Sequence, residues 1–528
     1  VFLSSLLGGI LGILFLIPFR KYFVSEMHGK YPFPEATATT QVLISGEKGG
    51  NQAKPLIFAG IIGGLYDFVL STFGWWSEVL TTKILPFGDM IAEKAKVVFK
   101  INTGAAVLGL GYIVGLKYCL IICAGSIFVW FLIIPGLGII FHNAVLTLGN
   151  PDIQMTVGMM SPEQIFTTYG RHIGIGGIAM AGVIGIIRSW DIIKSAVGLA
   201  SRELRGNTEN VVRNVKRTQR DLSMKFIAIA CIATLILIFL FFYLGVIHTI
   251  TQAVIAFIVV SVIAFLFTTV AANAIAIVGT NPVSGMTLMT LILASVILVA
   301  VGLTGTSGMV AALIIGGVVC TALSMAGGFI TDLKIGYWLG STPAKQETWK
   351  FLGTLVSAAT VGGVIMILND TYGFTSENGL AAPQANAMAA VIEPLMSGKG
   401  APWLLYGIGA VIAVILTVFK VPALAFALGM FIPLELNTPL VIGGLISWYV
   451  STRSQKEAVN KARLEKGTLL ASGFIAGGAL MGVVSAGLRF AGFSYTCHLS
   501  DIMTQSLGLL MYLIIIGYLI KNSMKIDK

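Results

Sequence analysis

Apolar runs close to twenty residues long, separated by short polar stretches, recur from one end of the chain to the other. They cover 2–19, 55–73, 104–120, 121–141, 173–187, 226–246, 253–277, 286–303, 309–330, 351–368, 403–419, 421–433, 439–450, 469–488 and 507–520. A helix needs about 20 apolar residues to cross a bilayer, whereas strands of a membrane barrel alternate over about 10. The pattern predicts an all-α, polytopic transmembrane helical bundle. The segment after Pro383 is short and carries polar residues, so it reads as a partial helix. Composition agrees: of 528 residues 56% are hydrophobic and 11% charged, with mean hydropathy +0.90. A soluble domain carries about 25% charged residues.

One run is interrupted. In "AIAIVGTNPVSGMTLMTLIL" (274–293) the apolar sequence stops at Thr280, Asn281, Pro282, Val283, Ser284 and Gly285 and then resumes. Proline removes an amide donor and glycine loosens the backbone. In hydrocarbon, irregular backbone is tolerated only against protein or a water-filled cavity. Asn281 and Ser284 are therefore expected at a cavity edge, with Pro282 in the first turn of a new helix and Asn281 near its N-cap. The positive dipole end of that helix suits an anionic group. An ordinary tight turn between two spans is the competing reading.

The chain also repeats itself. "FPEATATTQVL" (33–43) matches "APQANAMAAVI" (382–392), each reading Pro-x-Ala-x-Ala, with Glu35 against Gln384 and Thr37 against Asn386. "IGIGGIAMAGVIGIIRS" (173–189) matches "PLVIGGLISWYVSTRS" (439–454), each running Ile-Gly-Gly-aliphatic into Arg-Ser. The shared order predicts internally duplicated halves, as transporters often have. We expect a first transmembrane half at 1–188, a basic loop at 189–224 with an amphipathic helix at 190–204, and a second half at 225–528. The chain opens on valine inside an apolar run, and the Asn-Pro element has no partner in the first half. Both predict N-terminal spans before Val1.

The net charge of +11 sits in polar segments at 20–30, 188–225, 451–467 and 521–528. The positive-inside rule predicts that these face the cytoplasm. No basic module with groove-reading residues points to nucleic acid. Cys119, Cys123, Cys231, Cys320 and Cys497 form no Cys-x-x-Cys pair and read as small apolar side chains rather than metal ligands. The scarcity of histidine, five in all, argues against a haem or a multi-histidine metal core. No residue pattern calls for a cofactor. Zinc-protease, P-loop and dinucleotide motifs are absent from the sequence.

Isolated polar residues within apolar runs are the remaining candidates. Asp67 is a lone intramembrane carboxylate and so a functional candidate. Glu435 and Asn437 in "IPLELNTPL" lie between proline-flanked segments and predict another broken helix. Glu35 either pairs with Lys30 or exchanges a proton, since burial raises a carboxyl pKa. Tyr118 and Lys117 lie between two long apolar runs, where Lys117 can snorkel. Arg171 and His172 begin a span, and Glu393 ends the second Pro-x-Ala segment. Pro34 and Pro383 open the two matched segments.

"HGKYPFPEATATTQVLISGE", "GTNPVSGMT", "DLKIGYWLGSTPAKQE", "PLELNTPLVIGGLI" and "EKGTLLASGFIAGGALMGV", in that order, resemble the oligopeptide transporter (OPT) family. They are most similar to its bacterial branch, relatives of the yellow stripe-like metal-chelate carriers. The resemblance implies an integral-membrane secondary transporter of about sixteen helices built by repeated duplication. It implies uptake of small peptides or metal chelates, generally with protons. The Lys-Ile-Pro-Pro-Arg signature of the eukaryotic peptide branch is not found. By position the resemblance marks Asn281, Pro282, Ser284 and Gly285; Pro34, Glu35 and Thr37 with Pro383, Gln384 and Asn386; and Asp332, Lys334, Gly336 and Tyr337. The expectation is alternating access, with Asn281, Ser284, Gln384, Asn386, Thr37 and Tyr118 binding solute and Glu35, Asp67 or Glu435 carrying a coupling proton. A membrane-embedded enzyme acting on a lipid or peptide, and a passive channel, are the alternatives. A homodimer is open.

Overall fold

The computed structural model describes residues 1–31, 33–48, 54–148, 153–188, 194, 216–278, 283–372, 383–396, 402–493 and 499–525. The helices are α1 (Phe2–Arg20), α2 (Pro34–Lys48), α3 (Lys54–Phe73), α4 (Pro86–Lys94), α5 (Ala105–Val114), α6 (Leu116–Ile127), α7 (Ile134–Ile140), α8 (Pro162–Ile165) and α9 (Arg171–Arg188). After the basic loop come α10 (Met224–Phe242), α11 (Ile250–Val278), α12 (Val283–Ala300), α13 (Gly305–Leu339), α14 (Pro343–Tyr372) and α15 (Pro383–Met396). Then follow α16 (Trp403–Val418), α17 (Ala423–Phe431), α18 (Leu434–Thr452), α19 (Glu457–Phe490) and α20 (Asp501–Met524). Two short antiparallel strands, β1 (Val79–Thr81) and β2 (Lys100–Asn102), pair between α3 and α5. Among the described residues nine helices are long and apolar enough to cross a membrane. Phe226, Ile229, Ile232, Ile236 and Leu240 of α10 are exposed. Such a stripe suits lipid rather than water.

The described residues pack as two compact units, each drawing on both halves of the sequence. One comprises Val1–Ala36, Thr147–Asp152 and Ile178–Leu404; the other comprises Thr37–Leu146, Ile153–Gly177 and Leu405–Lys528. In the first, α1 lies along α13 so closely that a Cβ on Gly12 would stand 2.3 Å from the Ala322 carbonyl oxygen. Its core joins Leu11, Phe267, Ile315 and Leu323. In the second, α3 packs on α19, where a Cβ on Gly477 would meet the Gly60 carbonyl oxygen at 2.0 Å. Small residues let membrane helices approach backbone to backbone, where carbonyls and Cα atoms make the contact.

These close approaches expose the duplication. In the second unit a Cβ on Gly111 would reach the Leu440 carbonyl oxygen at 2.4 Å, and one on Gly409 would reach that of Ile173 at 1.9 Å. A Cβ on Gly443 would reach the Leu108 oxygen at 2.3 Å, and one on Gly176 that of Tyr406 at 2.1 Å. The matched repeat aligns Ile173 and Gly176 with Leu440 and Gly443, an offset of 267 residues. Leu108 and Gly111 are offset from Tyr406 and Gly409 by 298. So α5 against α18 and α16 against α9 are the same contact made twice, each with its helices exchanged between repeats. A third pair is its own counterpart. Gly125 of α6 abuts the Phe426 oxygen, with 2.1 Å left for a Cβ, and Gly429 of α17 abuts the Ile122 oxygen, with 1.8 Å. The α6–α17 crossing therefore marks a local pseudo-two-fold axis.

Several boundaries differ from the sequence reading. The break expected near 120–121 falls at Gly115, whose φ of +84° suits glycine, so Lys117 and Tyr118 lie in the first turn of α6. The run 421–433 is not a span. Its helix α17 has nine residues, about 14 Å at 1.5 Å per residue. The run 439–450 belongs to α18, which starts at Leu434 and carries Pro439 inside it. The interruption at 280–285 is bracketed by α11, ending at Val278, and α12, starting at Val283. Both Pro-x-Ala segments begin helices at the proline itself, α2 at Pro34 and α15 at Pro383. The amphipathic helix expected at 190–204 lies outside the described residues.

Gly429→Ala and its counterpart Gly125→Ala should each lower stability by about 1–3 kcal/mol, the usual range for overpacking. Gly407→Ala, where no atom lies within 4 Å of a Cβ, should be close to neutral. Thermal unfolding of the purified protein checks the ranking.

Candidate functional site

The interruption between α17 and α18 lies beside the pseudo-two-fold crossing. Pro433 supplies no amide donor, and Ile432 adopts extended backbone with ψ of 138°. Carbonyls at the end of α17 thus lose their helical partners. Three buried side-chain bonds replace them. Ser126 of α6 donates its hydroxyl to the Gly429 oxygen at 2.7 Å. Asn437 Nδ2 donates to the Gly429 oxygen at 3.3 Å and the Ile432 oxygen at 3.2 Å. Asn437 also donates to the Ser126 hydroxyl. Asn437 and Ser126 are both almost wholly buried.

Not every polar atom here is satisfied. Asn437 Oδ1 and Glu435 Oε2 are buried with no hydrogen-bond partner among the described residues. Glu435 sits in the first turn of α18, where the helix dipole favours a negative charge. Arg171 opens α9 with its guanidinium 4.8 Å above the Phe431 ring, and a Cβ on Gly174 would touch the Phe431 backbone at 2.8 Å. Arg171 Nε and the neighbouring His172 Nδ1 are likewise buried without partners. Tyr118 is half-buried against the cluster of Cys119, Ile122, Ala425 and Leu440. The interruption thus has an arginine over Phe431 on one side and a carboxylate and an amide oxygen in the start of α18 on the other, while His172 packs on the Tyr406 ring. Buried polar atoms without partners cost about 1–3 kcal/mol each, which an incoming dipolar solute could recover.

β2 braces this region. Its Lys100 carbonyl accepts a bond from Thr438 Oγ1 at 2.9 Å, while its ammonium pairs with Glu163 at 2.7 Å. Lys83 reaches the same carboxylate at 2.8 Å. Burial would push the Glu163 pKa up, but hydrogen bonds from the two ammonium groups outweigh it and hold the group down to about 2.

Other expected residues find different places. Asp67 of α3 accepts from the amides of Ala105 at 2.9 Å and Ala106 at 3.3 Å, so its carboxylate caps the N-terminus of α5. A Cβ on Gly478 would meet its Oδ2 at 2.4 Å. Glu35 is exposed and Thr37 half-buried in the first turn of α2. Gln384 and Asn386 lie in the first turn of α15, and Ser284 and Gly285 in that of α12. Asn281 and Pro282 lie outside the described residues. Lys334 of α13 is buried, donates to the Val24 oxygen at 2.8 Å, and lies over the rings of Phe33, Tyr337 and Trp338. Ser126 escaped the sequence reading; its one signal was a lone hydroxyl in "CAGSIF".

A polytopic helical bundle with repeated helix pairs, and with polar groups at an interrupted helix on the repeat axis, is the architecture of a multi-pass membrane transporter. A family profile described as "OPT oligopeptide transporter protein" matches residues 1–489, and the chain belongs to that family. A Haemophilus influenzae protein described as "Putative oligopeptide transporter" is 26% identical over 527 aligned positions, covering 91% of this chain and 79% of that protein.

Asn437→Ala should strand the Ile432 carbonyl and lower stability by about 1–3 kcal/mol, read as a fall in melting temperature. Glu163→Gln should lower stability near neutral pH by about 0.5–1 kcal/mol, a modest figure because the pair is partly exposed. The depressed Glu163 pKa contributes stability that is full above the unfolded carboxyl value and lost as pH falls through about 2. The gap between wild type and Glu163→Gln should therefore close as the pH is lowered from about 5.

Proposed function

We propose that this transporter moves small peptides, coupled to protons, by alternating access, and that the α17–α18 interruption forms part of its solute site. The observation carrying this reading is that buried polar atoms of Arg171, Glu435 and Asn437, around the α17–α18 break, lack hydrogen-bond partners among the described residues. A peptide or a metal chelate presents carboxylates and amines, the groups that would engage Arg171 and Glu435 respectively. The description of the Haemophilus influenzae relative supports peptide as the solute class. Metal–chelate complexes are the second solute class, carried by the resemblance to the yellow stripe-like branch.

Asn281, Ser284, Gln384, Asn386, Thr37 and Tyr118 are proposed as further solute contacts, since each opens or adjoins an interrupted helix. Among Glu35, Asp67 and Glu435 we favour Glu435 as a coupling acid, because its Oε2 is buried with no donor among the described residues. Asp67 is already engaged as a helix cap. We place the loops 188–225 and 451–467 and the C-terminus in the cytoplasm of a bacterial inner membrane, on their charge. Membership of a transporter family favours carriage over catalysis.

Uptake of labelled di- to tetrapeptides and metal–chelate complexes into proteoliposomes tests this. With one proton per solute, a one-unit pH gradient supports about tenfold accumulation. Arg171→Gln should abolish uptake, and Glu435→Gln should leave equilibrating uptake without accumulation. Equal wild-type uptake with and without the gradient removes the proton from the scheme.

A further inference from the structure

The first unit holds a second concentration of buried charge. Arg20 ends α1, Asp221 lies just before α10, and Glu347 lies in the second turn of α14. Arg20 and Glu347 are 1% and 0% exposed, and Asp221 is half-buried. The Arg20 guanidinium is committed to Asp221: Nη2 donates to Oδ2 at 2.9 Å, and Nε pairs with Oδ1. Longer contacts, both 3.4 Å, join Nη2 to the backbone and side-chain oxygens of Gln219.

Glu347 is left with little. Its Oε2 accepts the Leu222 amide at 2.8 Å, while Oε1 is buried with no hydrogen-bond donor among the described residues. The Leu222 amide follows Asp221 in the chain, so this bond sets the Glu347 carboxyl beside that of Asp221. Two ionised carboxylates offer only acceptors to one another, so that contact has no hydrogen to form a bond. The charge does not balance either. One guanidinium faces two carboxylates, Glu347 fully buried and Asp221 partly so, and uncompensated buried charge is strongly unfavourable. Lys21, the residue after α1, also faces Asp221 and is itself exposed.

We propose that Asp221 and Glu347 share a single exchangeable proton, making the Arg20–Asp221–Glu347 cluster a proton-binding site. With the proton on Glu347, its hydroxyl donates to Asp221, Oε1 or Oε2 keeps the Leu222 amide, and Arg20 and Asp221 cancel. The site is then neutral. Loss of the proton leaves one net negative charge and a repulsive contact at the junction of α1, the segment before α10, and α14. Titration thereby acts on the packing of three elements. The proton bound here is a second candidate for the coupled proton, a point that rests on the symport proposed above; its binding does not.

Infrared difference spectra of the purified full chain, without solute, test the binding directly. Between about pH 5 and about pH 9 the wild type should lose one protonated-carboxyl band that shifts in D2O. Glu347→Gln, which keeps a donor toward Asp221, should lack that band and melt cooperatively, while Glu435→Gln should retain it. Persistence of the band in Glu347→Gln, or its absence from the wild type across that range, overturns the proposal. Should Glu347→Gln prove unstable, Asp221→Asn must also remove or displace the band, and an unchanged band there overturns it equally. Because no solute is present, failure here is separable from failure of transport.

Discussion

A peptide group buried away from water needs a hydrogen-bond partner, and most of this molecule is arranged around that requirement. Regular helices meet it internally, which is why so much of an apolar chain is helical. Where a helix stops inside the apolar interior, side chains must take over. At Ile432 and Pro433 the substitutes are Ser126 and Asn437, which cover the oxygens of Gly429 and Ile432. Asp67 performs the complementary task for donors, covering the amides of Ala105 and Ala106. Polar residues in this protein therefore begin as replacements for lost backbone bonds. Asn437 Oδ1 and Glu435 Oε2 stay buried beside this break with no hydrogen-bond partner among the described residues.

Duplication explains where that spare capacity falls. The contacts Gly111–Leu440 and Gly409–Ile173, and likewise Gly443–Leu108 and Gly176–Tyr406, show each repeat lending a helix to the other. The self-paired crossing of α6 and α17 lies on the axis relating them. The repeats are not identical around it. In the first, α6 continues through α7 to Ile140; in the second, α17 ends at Phe431 and α18 begins three residues later. The shortened copy is the one with exposed carbonyls to satisfy, so the asymmetry and the polar site have one origin.

Much of this was legible in the sequence, for identifiable reasons. Run length gave the class, and the prolines gave the start of α2 and α15. The "IPLELNTPL" stretch gave the interruption at Glu435 and Asn437, because two prolines within an apolar run leave few alternatives. The alignment of 173–189 with 439–454 located half of the repeated contacts. Its partner helices α5 and α16 share only spaced glycines, too little to see without knowing what those glycines touch. The break at Gly115 was missed because glycine is frequent in membrane helices, and only its positive φ distinguishes this one. Arg20, Asp221 and Glu347 lie 126 residues and more apart along the chain, so nothing local announces their meeting.

The crossing of α6 and α17 has a mechanical corollary. Helices that interlock through large side chains resist twisting, since knobs must climb out of holes before one can turn on the other. Gly125 and Gly429 present bare main chain at their point of contact, while the Phe128 and Phe426 rings pack nearby with centroids 5.9 Å apart. What opposes rotation there is the short tether of Ser126 to the Gly429 oxygen, reinforced by Asn437. The axis of the repeat is thus pinned by two donors on one carbonyl, so a single main-chain oxygen holds the two helices in register.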